Sequence, residues 1–158
     1  KLRERGAAAF GRGDWDGAAE AYSEALALNQ NMPGCWTGRG GAKLRKGNHL
    51  SALTDLDQAI RLEPDNLFAL RDRAEVKMKL DDVDGSIADY NHKLQLAPGD
   101  GRALCGRGEA RLRKGDKDGA IGDFQLAARL TYPGAAEWLK KVKAMPNSVE
   151  SFARRQPS

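Results

Sequence analysis

Histidine is nearly absent from this chain: 158 residues contain two, His49 and His92. Neither has a cysteine or a second histidine at ligand spacing, so no metal site is expected. Cysteine is as scarce, with Cys35 and Cys105 alone. No serine or cysteine stands in a nucleophile motif with a histidine base, and the carboxylates fall at helix caps and solvent faces. The chain therefore reads as no enzyme, with no cofactor. No apolar run is long enough to span a bilayer, and no signal-peptide pattern opens the chain. An excess of one charge is also missing: 26 Lys+Arg stand against 22 Asp+Glu, a net +4 with both signs mixed. That falls short of the dense basic patch of a nucleic-acid binder.

What is present is a period. Residues 33–66 read PGCWTGRGGAKLRKGNHLSALTDLDQAIRLEPDN. Trp36, Gly40 and Leu44 lie at helical spacing, Gly47-Asn48 breaks it, Ala52, Leu56, Ala59-Ile60 and Leu62 resume it, and Pro64 stops it. This predicts a helix, a tight turn and a second helix. Neither helix has enough apolar surface to fold alone. Steps of 34 take Gly40 to Gly6, Ala74 and Gly108, Leu56 to Tyr22, Tyr90 and Phe124, and Gly47-Asn48 to Gly13-Asp14, Asp81-Asp82 and Gly115-Asp116. Small, large and turn residues sharing one period indicate stacked repeats. The glycines of Gly38–Gly41 are read as helix packing, because no strand precedes them as a dinucleotide fingerprint requires.

On Trp36, Gly40, Ala52, Leu56, Ala59 and Pro64, and their equivalents, the chain resembles the tetratricopeptide repeat family over residues 1 to about 134. The resemblance implies an all-α, right-handed superhelical solenoid of helix-turn-helix repeats with a C-terminal capping helix. The repeats are placed at 1–32 (lacking its first two positions), 33–66, 67–100 and 101–134. The capping helix is placed at 135–145, with Trp138, Leu139 and Val142 inward and Lys140, Lys141 and Lys143 outward. A polar tail is placed at 146–158, frayed or docked through Val149 and Phe152. The missing opening positions read as a piece of a longer protein. Three departures stand out. Gln30 takes the place of the repeat-ending proline, Tyr132-Pro133 shifts it by one residue, and Lys93 replaces a small residue, where local loosening is expected. The cysteines lie two repeats apart, beyond disulfide reach, as free thiols of a reducing compartment. A cytoplasmic, or nuclear, location is expected.

Two charge columns share the period. Arg5, Arg39, Arg73 and Arg107 lie on first helices; Asp55, Asp89 and Asp123 lie on second helices, with Ala21 at that place in the first repeat. An internal Arg–Asp ladder is the favoured reading, since the guanidinium fork can hold a carboxylate in two hydrogen bonds. An arginine row gripping an acidic ligand is the other reading. Lys43, Lys77, Lys79, Arg111 and Arg113 fall in last helical turns, where cations favour the helix dipole.

In the family resembled, first helices line a concave groove. Carried across, the candidate peptide-binding residues are Arg3, Phe10, Thr37, Leu44, Arg45, Phe68, Arg71, Glu75, Met78, Lys79, Arg102, Glu109, Leu112 and Arg113. They form an apolar strip beside a basic edge. The implied function is a scaffold or adaptor holding a protein or peptide segment of acidic and apolar character. Self-association is the alternative, and RNA reading is disfavoured because the groove rows vary too much for a repeat code. The carboxylate clamp of some co-chaperones of this family would fall on Arg3, Ala7, Gly38, Phe68 and Asp72. Only Arg3 keeps a suitable charge, so no chaperone carboxylate binding is expected.

Overall fold

The computed structural model describes residues 1–146, which carry nine helices; the expected polar tail lies, from Asn147 on, outside the described residues. The helices pair as α1 (Leu2–Gly11) with α2 (Trp15–Leu28), α3 (Pro33–Arg45) with α4 (His49–Leu62), α5 (Leu67–Lys79) with α6 (Val83–Leu96), and α7 (Gly101–Arg113) with α8 (Lys117–Arg129), followed by α9 (Ala135–Ala144).

The turns explain the pairing. Gly13, Gly47, Asp81 and Gly115 all have positive φ, and they are 34 residues apart. Three of the four are glycine, the residue that enters this region without steric cost; Asp81 is the tolerated substitute. The next residue opens the second helix. Asp14, Asp82 and Asp116 accept from the amides of Gly17, Gly85 and Gly119 at 2.9 Å, satisfying donors that a helix start leaves free. Asn66 and Asp100 cap α5 and α7 in the same way.

Each helix packs on the next in sequence, and the first helices also meet one another: α1 with α3, α3 with α5, α5 with α7. First helices therefore lie on the inner side of the stack. The core is a seam of small residues, including Ala18, Ala52 and Ala120, around Tyr22, Leu56, Tyr90 and Phe124. α9 closes the far end: Trp138 stacks on Phe124 with ring centres 5.6 Å apart and planes 6° from parallel, and Val142 is fully buried. Together these elements make an all-α repeat solenoid.

The Arg–Asp ladder is present and has more members than expected. Arg39, Arg73 and Arg107 each hold the aspartate 16 residues ahead in two hydrogen bonds of 2.6–3.0 Å. The remaining nitrogen of each reaches 16 residues back, to Ser23, Asp57 and Asn91. One guanidinium thus ties its own hairpin to the one before. Lys43, Lys77 and Arg111 add a second cation to Asp55, Asp89 and Asp123 at 2.7–2.9 Å. These side chains turn back across the hairpin, so the helix dipole is not their whole explanation. In the first hairpin Arg5 meets Glu24 instead, at 2.5 Å.

One departure resolves differently from expectation, and a second finds a contact of its own. Lys93 does not loosen its repeat: it is buried, and its ammonium reaches Leu67 O at 3.1 Å and Asp100 Oδ2 at 2.9 Å. A long side chain with two acceptors fills the place of alanine. Gln30, standing for the expected proline, offers its carbonyl to Trp36 Nε1 at 2.7 Å. Both cysteines are buried free thiols.

Candidate functional site

The inner face formed by α1, α3, α5 and α7 carries two hollows. The N-terminal one, about 290 Å³, is walled by Phe10, Tyr22, Thr37 and Phe68, with Arg71 and Asp72 at its side. Phe68 is 65% exposed, and the Arg71 guanidinium lies 5.5 Å from its ring centre. Arg71 also pairs with the buried carboxylate of Asp72 at 2.7 Å. Burial pushes the Asp72 carboxyl up, while Arg71 pulls it back down without cancelling the effect.

The C-terminal hollow, about 430 Å³, is closed by Tyr132, Pro133 and Trp138 at the capping end. Here lie Glu75, Met78, Lys79, Arg102, Glu109 and Arg113 of the expected set. Glu75 is held by Arg102 at 2.7 Å and Arg45 at 3.4 Å. Arg113 donates to Met78 O at 3.0 Å. Glu109 is open at its tip, yet desolvation raises its carboxyl and Glu75 adds to this, with Arg113 and Lys79 opposing. Burial, then Glu109 and Asp123, push the Cys105 thiol up to about 11, so it stays a thiol at neutral pH.

The expected residues do not all meet. Leu44 is a correction: it is buried with Leu56 and Val76, because Ala52, Ala59 and Ala69 leave room that its side chain fills. Leu112 is half-buried against the C-terminal core, and Phe10 packs edge-on to Trp15 at 5.0 Å. Arg3 lines a separate depression at the N-terminal end. Sequence reasoning missed Tyr22, Tyr90, Tyr132 and Trp138 as walls. A signal for the first two exists: each tyrosine is followed 16 residues later by glycine, Gly38 and Gly106. Among the described residues no group of three or more His, Cys, Asp or Glu could hold a metal ion, and no helix is long and apolar enough to cross a membrane.

Known proteins match on the same features. Small glutamine-rich tetratricopeptide repeat-containing protein 2 of Mycosarcoma maydis is 36% identical over 64 residues, 40% of this chain and 18% of that protein. The chain thus spans less than a fifth of that relative's length. The crystal structure of MamA protein superposes with a TM-score of 0.76 at 17% identity, covering 99% of this chain and 94% of that one. The first tetratricopeptide repeat domain of Spaghetti (RPAP3), solved with the HSP90 peptide SRMEEVD, gives 0.69 at 23% identity over 71% and 89%. The tetratricopeptide repeat family model matches residues 3–66, 37–100 and 71–136 in overlapping register. With its period, its hairpins and its inner face all in place, the chain belongs to the tetratricopeptide repeat family.

Proposed function

We propose that this chain is a non-catalytic interaction module that holds an acidic and apolar peptide segment along its inner face. One observation carries the reading: an exposed apolar wall at Phe68 stands in a face with five cations and three carboxylates. The cations are Arg45, Arg71, Lys79, Arg102 and Arg113; the carboxylates are Asp72, Glu75 and Glu109. A net positive trough with apolar walls attracts anionic chains and shelters their side chains. The RPAP3 domain, solved bound to an HSP90 peptide, supports a peptide as the class of ligand.

The acidic chaperone tail of that complex is not the expected ligand here. Asp72 stands at one clamp position with its carboxylate already on Arg71, and Gly38 and Ala7 offer no donor side chain. Titration with an EEVD-ending peptide should show no binding; measurable binding would overturn this part.

The test of the main reading is fluorescence anisotropy with amidated peptides rich in Asp, Glu, Leu and Phe. Affinity should fall as salt rises, since exposed charge pairs are screened. It should fall further in the Lys79→Glu variant, because that side chain lines the C-terminal hollow and has no ion-pair partner among the described residues to lose. Binding indifferent to salt and to the substitution would refute the proposal.

A further inference from the structure

Two polar atoms on the floor of the groove lack an intramolecular role. Tyr22 is 6% exposed and Tyr90 is 3% exposed, yet neither hydroxyl has a hydrogen-bond partner among the described residues. Nor is either oxygen sealed: the buried, unpartnered side-chain atoms there are His49 Nδ1 and Ser86 Oγ. Tyr22 opens onto the N-terminal hollow and Tyr90 onto the C-terminal one. A phenol that opens on a hollow with no intramolecular partner is free to bond a group that enters the hollow.

Glycine makes the openings. The Tyr22 ring lies over Gly38 and the Tyr90 ring over Gly106, so closely that any side chain at either glycine would overlap the phenol. At the equivalent place between them stand Leu56 and Asp72, a pair with no phenol and a carboxylate engaged by Arg71. The hydroxyls therefore recur every second repeat. Burial raises both phenols, with Glu75 and Glu109 adding at Tyr90. Both stay protonated at neutral pH and can donate as well as accept.

We propose that Tyr22 and Tyr90 read the main chain of an extended peptide, each hydroxyl bonding one of its peptide groups. This rests on the groove reading above and adds the mode of recognition. The hollows beside the two phenols differ: one is mostly apolar, the other charged. Side-chain selectivity belongs to those hollows. Identical hydroxyls suit what every residue of a ligand shares, its C=O and N–H. The step from α3 through α5 to α7 spans roughly 16–20 Å at ordinary helix spacing. An extended chain covers that in about five or six residues. The bound segment is thus extended, and its two anchored peptide groups lie that far apart.

The test uses the tightest binder selected from a phage-displayed random dodecapeptide library on the wild-type chain. Its affinity is measured on wild type, Tyr22→Phe, Tyr90→Phe and the double variant, with thermal melts alongside. The melts should be unchanged, since no intramolecular bond is lost. Each phenylalanine should weaken binding roughly three- to tenfold, the range of one hydrogen bond. The double variant should lose about the product. Replacing single peptide bonds of the ligand by esters should weaken wild type at two positions and leave the double variant unaffected there. Phenylalanine variants that bind within twofold of wild type would overturn the inference while leaving the groove reading intact. So would a loss accompanied by a flat ester scan, which would assign the hydroxyls to side chains. A library yielding no binder would overturn both.

Discussion

In the first hairpin, Arg5 and Glu24 meet on the surface, 52% and 44% exposed. In the three hairpins that follow, the equivalent arginine reaches an aspartate that is almost fully buried, and a second cation joins it. The frame is the same in both regions, and so is the periodic arginine. What differs is the residue opposite: Ala21 stands where Asp55, Asp89 and Asp123 stand later. The comparison separates two roles for one arginine. Against a buried carboxylate it fixes how two hairpins sit. Against an exposed glutamate it contributes little, because water competes and two long side chains must be ordered.

The sharpest way to break this comparison is to remove the carboxylate. Asp89→Ala would leave Arg73 and Lys77 without their shared partner in a largely buried place. Breaking such a cluster from one side costs about 3 kcal/mol, to be read from urea unfolding. Arg5→Ala should cost less than about 1 kcal/mol. Equal losses would end the distinction.

A smaller effect comes from the buried Lys93 and its half-buried partner Asp100; the counterparts of Lys93 in the other hairpins are alanines. Burial pulls the Asp100 carboxyl upward, but hydrogen bonds from Lys93 and the Ala103 amide outweigh it and hold it below its ordinary 3.8. A carboxyl lowered on folding stabilises the native state above that value, and the contribution is lost as pH falls through the lower, folded one. Asp100→Asn should therefore cost about 1 kcal/mol at neutral pH and flatten the acid limb of stability. Amide protection at α6 and α7, taken relative to the intrinsic exchange rate at each pH, should fall on acidification before that at α1 and α2 does. A uniform fall in protection would argue against a local origin.

The least effect is expected at Ser23, whose hydroxyl accepts from Arg39 at 3.1 Å. Asp57 holds Arg73 in the same way at 2.8 Å. Ser23→Asp should raise stability by up to about 0.5 kcal/mol, visible as a slight gain in melting temperature that salt removes. A loss would show that the first joint cannot accept the later pattern.

Much of the fold could be read from the chain because packing forces it into periodic form. A glycine at the turn and alanines in the seam answer to sterics that repeat with every hairpin. The Arg–Asp columns were legible for the same reason. Lys43, Lys77 and Arg111 were not read as ladder members, because a cation one turn beyond the arginine satisfies two explanations from one position. Leu44 and Lys93 were misjudged since burial depends on the volume of neighbours in adjacent helices, which spacing along one helix does not report. The phenols were missed because Tyr22 and Tyr90 read as core residues, as they are. Only the glycine sixteen residues on shows that each ring has an edge left open.

The two patterns in the chain have different lengths, and this limits how such a protein can grow or shrink. Loss of one hairpin, residues 33–66, would remove the Arg39–Asp55 rung, put Ser23 behind Arg73 and keep the two rungs that follow. The same excision would drive Asp72 into the Tyr22 ring. Loss of residues 33–100 would instead bring Gly106 beneath Tyr22 and Ser23 behind Arg107. Architecture tolerates gene-level edits in single units, whereas the floor of the trough tolerates them in pairs.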